Sequence, residues 1–247
     1  VDGQSYEARV ALANCAPKVL EKVADFKAPP LRDGSQVKIN MVLKELPKLK
    51  SGVDPKVAFA GTFHVNESYF ELEQAFAQAS LGQIPDVIPS ELYCHTLTDP
   101  TILTPDLIAA GYQSLTLFAL HLPASLFDND HDRIKAEVSK RILDGFSQYL
   151  ERPIENYLAK DSDGNLCIEV KTPQELEKEL GLPRGNIFHS DLEFPWKQDG
   201  DSRKWGVETN SERIFIAGAG ALRGGGVSGI AGHNAAMAAL ETLARLP

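Results

Sequence analysis

Residues 212–236 read Glu212-Arg-Ile-Phe-Ile-Ala-Gly-Ala-Gly-Ala-Leu-Arg-Gly-Gly-Gly-Val-Ser-Gly-Ile-Ala-Gly-His-Asn-Ala-Ala236. An apolar run leads into a glycine-rich loop, and an alanine-rich segment continues to Leu246. The loop holds seven of the chain's 19 glycines, so few side chains shield its backbone N–H groups. This order predicts a strand, a loop and a helix that bring free N–H groups and a helix N-terminus together. Such an arrangement suits an anionic or electron-rich ligand.

Two common phosphate-binding motifs do not match this loop. A P-loop closes on Gly-Lys-Ser/Thr, which does not follow these glycines. A dinucleotide fingerprint opens a βαβ unit, and too little chain remains here for another strand. We therefore assign residues 213–246 to the closing part of a nucleotide-binding α/β domain, together with a strand predicted at residues 6–13. The structural alternative is a glycine-rich turn that only lets a helix pack closely on a sheet.

The composition indicates a globular protein and argues against several partners. The chain has 247 residues, 43% hydrophobic and 24% charged, enough for one large domain or two modest ones. A net charge of −9 argues against nucleic acid, which needs a basic face. No apolar run approaches the roughly 18 residues that span a bilayer. The three cysteines, Cys15, Cys94 and Cys167, are far apart and indicate reduced thiols of a cytoplasmic protein.

The middle of the chain predicts a separate block of strands and helices. Residues 36–43 alternate apolar and polar side chains, the period of a half-buried strand. Apolar residues at helical spacing predict helices at 67–80 and 130–150. Thr172-Pro-Gln-Glu175 is a capping box that opens a helix to about residue 180. Further strands are predicted at 56–64, 92–96 and 113–120, and a polar surface loop at 197–204.

Four stretches resemble the C-terminal half of the phytoene dehydrogenase-like flavoproteins, which include phytoene desaturases, carotenoid isomerase and retinol saturase and share their fold with the amine oxidases. They occur in the family's order and cover nearly the whole chain. They are Ala13-Asn-Cys-Ala-Pro17; Gly61-Thr-Phe-His-Val-Asn-Glu-Ser-Tyr-Phe-Glu-Leu-Glu73 through Gly82-Gln-Ile-Pro85; Gly181-Leu-Pro-Arg-Gly-Asn-Ile-Phe-His189; and Gly218-Ala-Gly220 with Gly224-Gly-Gly-Val-Ser-Gly-Ile-Ala-Gly-His-Asn-Ala-Ala236.

This resemblance implies an α+β or α/β fold made of two parts. One is the C-terminal fragment of a Rossmann-like FAD domain, and the other is an inserted substrate domain with a mixed, largely antiparallel sheet and helices. The expected segments are 1–30 and 205–247 for the FAD domain and 31–204 for the substrate domain. The family's Gly-x-Gly-x-x-Gly has no match here, and the chain does not begin with Met. We interpret it as a piece of a longer enzyme that is inactive alone.

The resemblance also assigns cofactor-binding residues. The end of the last strand would lie near the ribityl phosphate, and the helix N-terminus would face the N1–C2=O edge of the flavin. Free N–H groups and the positive end of the helix dipole would stabilise the negative charge of reduced flavin there. The residues assigned to this site are Gly218, Ala219, Gly220, Gly225, Gly226 and Val227.

Other side chains are assigned with alternatives left open. His189 either faces the flavin or substrate cavity as a proton shuttle, or is hydrogen-bonded to backbone in a packed turn. Trp196 is placed near the substrate or flavin, although the sequence departs from the family pattern at 194–207, which leaves the substrate class open. Arg223 either contacts phosphate or faces water. No catalytic acid or base is named, and no metal site is predicted, since the acidic run 128–132 lacks a calcium-loop pattern.

The implied function is FAD-dependent oxidation of an apolar substrate by hydride transfer to flavin. The outcome would be desaturation, as in carotenoid biosynthesis, or a redox isomerisation, and a polyprenoid substrate is implied by the resemblance alone. NAD(P) as electron partner, peripheral membrane contact and the oligomeric state stay open. Two alternatives are a non-catalytic binding or assembly module of the same fold and an amine-oxidase-like flavoenzyme.

Overall fold

A computed structural model describes residues 3–189, 191, 194, 196–197, 199–223 and 228–246. The chain divides into two compact units: unit 1 comprises residues 1–33 and 176–247, and unit 2 comprises residues 34–175. Parallel and antiparallel strand pairs both occur together with helices, so the fold is mixed α+β, compatible with the α/β class. The assignment of residues 1–30, 31–204 and 205–247 to FAD and substrate domains stays a prediction.

The regular elements alternate along the chain. The strands are β1 (Ala11–Ala13), β2 (Val37–Leu43), β3 (Phe63–Val65), β4 (Ser90–Tyr93), β5 (Gln113–Ala119), β6 (Ile168–Lys171) and β7 (Ile214–Ile216). The helices are α1 (Pro17–Leu20), α2 (Pro55–Ala58), α3 (Tyr69–Ser80), α4 (Pro105–Ala109), α5 (His131–Ser147), α6 (Pro173–Leu180) and α7 (Ile230–Arg245). Within the described residues, no helix is both long enough and apolar enough to cross a bilayer.

Unit 2 is built on a five-stranded antiparallel sheet in the order β3-β4-β5-β2-β6. Every second residue of β2 is buried, as the alternating sequence predicts. The buried face of this sheet and the apolar stripe of α5 form one core. The predicted strands at 36–43 and 113–120, the helices at 67–80 and 130–150, and the capping box at Thr172 are confirmed within a few residues.

The strand predicted at residues 56–64 is wrong except at its last two residues. Pro55–Ala58 forms a short helix because Pro55 fixes a helical φ at the first position and the Asp54 carboxylate accepts from the Lys56 N–H at 2.9 Å. The strand begins only at Phe63. The strand predicted at 92–96 is likewise shifted, because β4 ends at Tyr93 and residues 95–97 form a 3₁₀ turn.

Unit 1 contains a parallel pair of strands followed by the long helix α7. Ala11, Leu12 and Ala13 pair with Ile214, Phe215 and Ile216, respectively. Small alanine side chains on one side of α7 are buried in the same apolar cluster as Phe215 and Ile216. The strand predicted at residues 6–13 is thus confirmed only over its last three residues. Its Leu12 side chain is 48% exposed, and among the described residues β1 pairs with β7 alone.

Candidate functional site

The parallel pairing of β1 and β7 brings two turns together. Parallel strands end at the same edge of a sheet, and the Ala217 N–H donates to the Ala13 carbonyl at 2.8 Å just beyond the pair. The turn 14–17 therefore lies against the turn 218–220. A Cβ built on Gly218 would overlap the side-chain oxygen of Asn14. A Cβ on Gly220 would overlap the ring of Pro17, with its Cγ 2.6 Å away.

These two glycines are needed because protein atoms already fill the space of a side chain. The sequence predicts that these glycines let the backbone approach a cofactor closely. In the structure their Cβ positions face Asn14 and Pro17. Both glycines therefore allow the first and fourth family-like stretches to pack. The predicted contact of Gly218, Ala219 and Gly220 with a cofactor stays a prediction, and the two glycines can contribute only backbone groups to it.

His189 brings the third family-like stretch to the same place. Its Nδ1 lies 3.4 Å from the position that a Gly220 Cβ would take. The local turn is tight: His189 has a φ of 64°, and its N–H donates to the Asn186 carbonyl at 3.1 Å. Asn186 is buried and accepts from the Phe188 N–H at 2.9 Å, which fixes the turn.

The imidazole of His189 has a buried ring nitrogen that is open to a hydrogen-bond partner. Its Nδ1 is buried and has no hydrogen-bond partner in the part of the chain that the structure describes. The alternative in which the His189 side chain is hydrogen-bonded to backbone in a packed turn predicts a bond that Nδ1 does not make among the described residues. Burial lowers the pKa of His189 below its usual value, which favours the neutral ring. A buried polar atom without a partner is rare and calls for an explanation such as a ligand or water.

A cavity of about 280 Å³ opens beside this turn within unit 1. Gly220 and Ile216 contribute to its wall together with Phe26, Lys27, Pro29 and Pro30. Arg32 and Asp191 also line it and form an ion pair at 3.0 Å. Ligand pockets usually begin near 300 Å³, so this cavity suits a part of a large cofactor rather than the whole of it.

A buried ion pair fixes the chain on the other side of the glycine turn. The Arg223 side chain is buried, contacts the Asp201 carboxylate and donates to the carbonyls of Lys204 at 2.8 Å and Arg203 at 2.9 Å. Burial disfavours the charged form of Asp201, but hydrogen bonds from Arg203 and Arg223 outweigh it and lower the pKa of Asp201 to about 2. The alternative in which Arg223 faces water is therefore wrong.

Asp201 is the residue that sequence reasoning missed in this region. It belongs to the polar run 197–204, which was predicted as a surface loop, yet it is nearly enclosed. Its partner Arg223 lies at the end of an apolar stretch, and a lone arginine there was the available signal. Gly206 packs against the Arg223 side chain, since a Cβ on it would lie 3.0 Å from the Arg223 Cγ.

The other assigned residues divide into two groups. Gly225, Gly226 and Val227 lie outside the described residues. Trp196 is described: it is 60% exposed and stacks on Phe194 with ring centroids 4.7 Å apart. The described residues that line the cavity do not include Trp196, so its placement near substrate or flavin stays a prediction.

The N-terminus of α7 returns to the end of β7. Gly229 caps the helix with a φ of 74°, and the Ile230 N–H donates to Ser228 Oγ at 3.3 Å. A Cβ on Gly232 would lie 3.9 Å from the Ala217 carbonyl oxygen, which places the first helical turn beside the strand end. The first four N–H groups of a helix have no acceptor within the helix and carry its positive dipole end. Strand end, turn and helix start thus lie in one region, as the sequence order predicted.

Comparisons with known proteins point to longer relatives. No protein-family model matches the chain. The chain is 45% identical over 242 residues to the uncharacterised protein Rv0897c of Mycobacterium tuberculosis, covering 96% of this chain and 45% of that protein. It is 29% identical over 261 residues to the mouse pyridine nucleotide-disulfide oxidoreductase domain-containing protein 2, covering 95% of this chain and 42% of the relative. The rat protein of the same name is 29% identical over 214 residues, covering 81% of this chain and 34% of the relative. The chain therefore spans less than half the length of these curated relatives.

Proposed function

We propose that this chain is the flavin-facing and substrate-facing part of an FAD-dependent oxidoreductase. The observation that carries the proposal is the meeting of three separate segments at the carboxyl ends of β1 and β7: the turn 14–17, His189 and the turn 218–220. In α/β sheets, ligands bind beyond the carboxyl ends of parallel strands. The similarity to mammalian proteins named for an oxidoreductase domain supports the same class of activity.

The exposure of β1 supports a larger sheet in the intact protein. Parallel strands are normally covered on both faces, and a sheet of two strands is marginal in water. Here Leu12 is half exposed and β1 pairs, among the described residues, only with β7. We infer that further strands of the whole protein flank β1 and complete a Rossmann-like FAD domain. The adenine and pyrophosphate contacts belong to that part in this proposal.

The residues present fit the flavin end of such a cofactor. The backbone of Gly218–Gly220 and the residues leading into α7 would hold it, including Gly225, Gly226 and Val227. The unpartnered Nδ1 of His189 supplies a hydrogen-bond acceptor beside them. A bound flavin supplies the hydride-accepting chemistry. The N-terminal amides of α7 favour a nearby negative charge because of the helix dipole.

His189 acts in this proposal as a neutral acceptor. Its lowered pKa favours the neutral ring, and with the proton on Nε2 the Nδ1 atom accepts a hydrogen bond from a group in the site. Ile216 and Phe26 give the adjoining cavity apolar surface, next to the charged side chains of Arg32 and Asp191. An apolar substrate, such as a polyprenoid undergoing desaturation or redox isomerisation, is the substrate class we propose.

The test is the flavin content of the full-length protein that contains this chain. We expect a yellow protein with about one flavin per chain, and loss of flavin when Gly226→Leu places a bulky side chain before α7. Gly61→Ala is the matched control, because a Cβ at Gly61 meets no atom within 4 Å. Full flavin content in the Gly226 variant would contradict our placement of the ring.

The isolated chain gives a second test. Without the adenine and pyrophosphate contacts, residues 1–247 should bind FAD weakly and show no turnover. Titration followed by flavin fluorescence measures this affinity, and binding at about micromolar strength or better would contradict the division of the site that we propose. A full-length protein that stays colourless after reconstitution would favour the non-catalytic module instead.

A further inference from the structure

A second group of polar residues meets in unit 2, on the side of the sheet that faces away from the core. In the antiparallel pair of β3 and β4, His64 lies directly opposite Glu91. Directly opposite residues have their Cβ atoms about 4.5–5.5 Å apart, on the same face. The chain turns just after β3 through Asn66, whose φ is 57°, and the Glu67 carboxylate then contacts Nδ1 of His64.

The atoms of these three side chains match the needs of a divalent metal ion. One nitrogen of His64 and one oxygen each of Glu67 and Glu91 lie within 4.8 Å of one another. Zinc binds imidazole nitrogen and carboxylate oxygen at about 2.0–2.2 Å, so the ligand atoms of a tetrahedral site lie about 3.3–3.6 Å apart. Small side-chain rotations therefore suffice to bring all three atoms onto one ion.

The cluster contains two carboxylates and one imidazole, and one carboxylate is largely buried. The Glu67 side chain is only 11% exposed, and its Oε1 has no hydrogen-bond partner among the described residues. A buried carboxylate oxygen without a partner costs stability, and a bound cation would remove that cost.

Tyr93 supports the cluster from behind its ligands. It lies two residues after Glu91, on the same face of β4, and its hydroxyl donates to the Glu91 carboxylate. That bond raises the pKa of Tyr93, which keeps the phenol protonated as a donor. Groups that orient metal ligands in this way are typical of metal sites in proteins.

We propose that His64, Glu67 and Glu91 bind one divalent first-row metal ion, with zinc as the expected occupant. Three protein ligands leave at least one coordination position open for water or another small ligand. The ion would tie β3 and β4 to the start of α3, because the three ligands come from these segments. Sequence analysis predicted no metal site, since the strand register that pairs His64 with Glu91 is not visible from residue spacing. This proposal does not depend on the proposed flavin chemistry.

The experiment uses full-length protein freed of metal by a chelator. Cobalt(II) is titrated as a coloured probe, zinc is added as a competitor, and calorimetry gives the number of ions per chain. We expect one ion per chain, displacement of cobalt by zinc, and a rise in melting temperature with zinc. Glu91→Gln and His64→Gln should each weaken binding by at least about tenfold.

Glu169→Gln serves as the control. Glu169 is an exposed carboxylate on β6 of the same sheet, and it forms an ion pair with Lys171. Thermal unfolding of each variant in the presence of chelator shows whether the metal-free protein still folds. If one ligand variant fails to fold, the other still tests the proposal. Absence of stoichiometric binding would overturn the proposal, leaving a simple contact between His64 and Glu67. Unchanged affinity in both ligand variants would overturn it as well. Flavin content is recorded in parallel, so that failure of the flavin proposal is seen separately.

Discussion

The two sheets of this molecule differ in how far their own neighbours cover them. The sheet of unit 2 has five antiparallel strands, and its inner face, with Leu117 and Leu92, is fully buried against α5. The sheet of unit 1 has two described parallel strands, and Leu12 of β1 is half exposed. Antiparallel sheets tolerate one wet face, whereas parallel sheets are covered on both. Unit 2 thus pairs its own strands, while the other edge of β1 has no partner strand among the described residues, and our proposal places the rest of a cofactor domain there.

Phe146→Ala should have the largest effect, because it strikes the self-contained core of unit 2. Phe146 is fully buried on α5 and meets the ring of Phe59 edge-on at 6.2 Å. Removing it leaves a cavity that costs about 3–5 kcal/mol of unfolding free energy. Urea unfolding measures the loss. The control Phe76→Ala removes a ring that is 56% exposed and should cost no more than about 1 kcal/mol. Similar losses in both would break the contrast between core and surface in unit 2.

Asp201→Asn probes the ion pair between Asp201 and the buried Arg223 in unit 1. It removes the negative charge beside the buried Arg223 guanidinium and weakens the hydrogen bond that the side chain at 201 accepts, at a cost of about 1.5–3 kcal/mol. The pKa of Asp201 is about 2 in the folded protein, below its ordinary value of 3.8, so its stabilisation is present above pH 3.8 and is lost as the pH falls towards 2. Urea unfolding between pH 2 and 4 should show a flatter profile in the variant, while the exposed neighbour Asp199→Asn should keep the wild-type slope. If stability fell equally with pH in the wild type and both variants, the ion pair between Asp201 and Arg223 would not stabilise the fold as described.

Gly220→Ala tests the packing of the two turns in unit 1. The new methyl group would overlap the Pro17 ring, so we expect a loss of about 1–3 kcal/mol. Gly232→Ala is the opposite case: it lies in α7, its Cβ would meet only the Ala217 oxygen at 3.9 Å, and it should gain about 0.5–1 kcal/mol. Thermal unfolding distinguishes the two signs. A neutral Gly220 variant would show that the turns 14–17 and 218–220 do not meet as described.

Ser68→Ala should give the smallest loss, in unit 2. Ser68 caps α3, with its hydroxyl accepting from the Glu71 N–H and the Glu71 carboxylate accepting from the Ser68 N–H. Losing this capping box costs about 1 kcal/mol. Ser80→Ala, at the other end of α3, removes only a bond from its hydroxyl to the Phe76 carbonyl and should be nearly neutral. Equal thermal shifts would show that the cap adds nothing.

Local patterns predicted the elements of unit 2 well, and long-range contacts were the part that sequence could not supply. The alternation in β2 and the apolar stripe of α5 are repeated within one element, so they are visible in the sequence. The helix at Pro55 was missed because its cap competed with an alternating apolar pattern.

For the candidate site, the sequence predicted the strand, turn and helix order around Gly218 but not what the glycines contact. Atoms of Asn14 and Pro17 occupy the positions that a Cβ on Gly218 or Gly220 would take. They do so because β1 pairs with β7, although the two strands lie near opposite ends of the chain. The opposition of His64 and Glu91 is hidden for the same reason, because strand register is a property of the folded sheet.

Hydrogen exchange in the full-length protein, with and without bound FAD, tests the central claim most directly. The account predicts that FAD slows exchange of the backbone amides at residues 218–220 and 228–232, while those of β5 in unit 2 stay unchanged. Stoichiometric FAD binding that leaves the amides after β7 exchanging as before would contradict it.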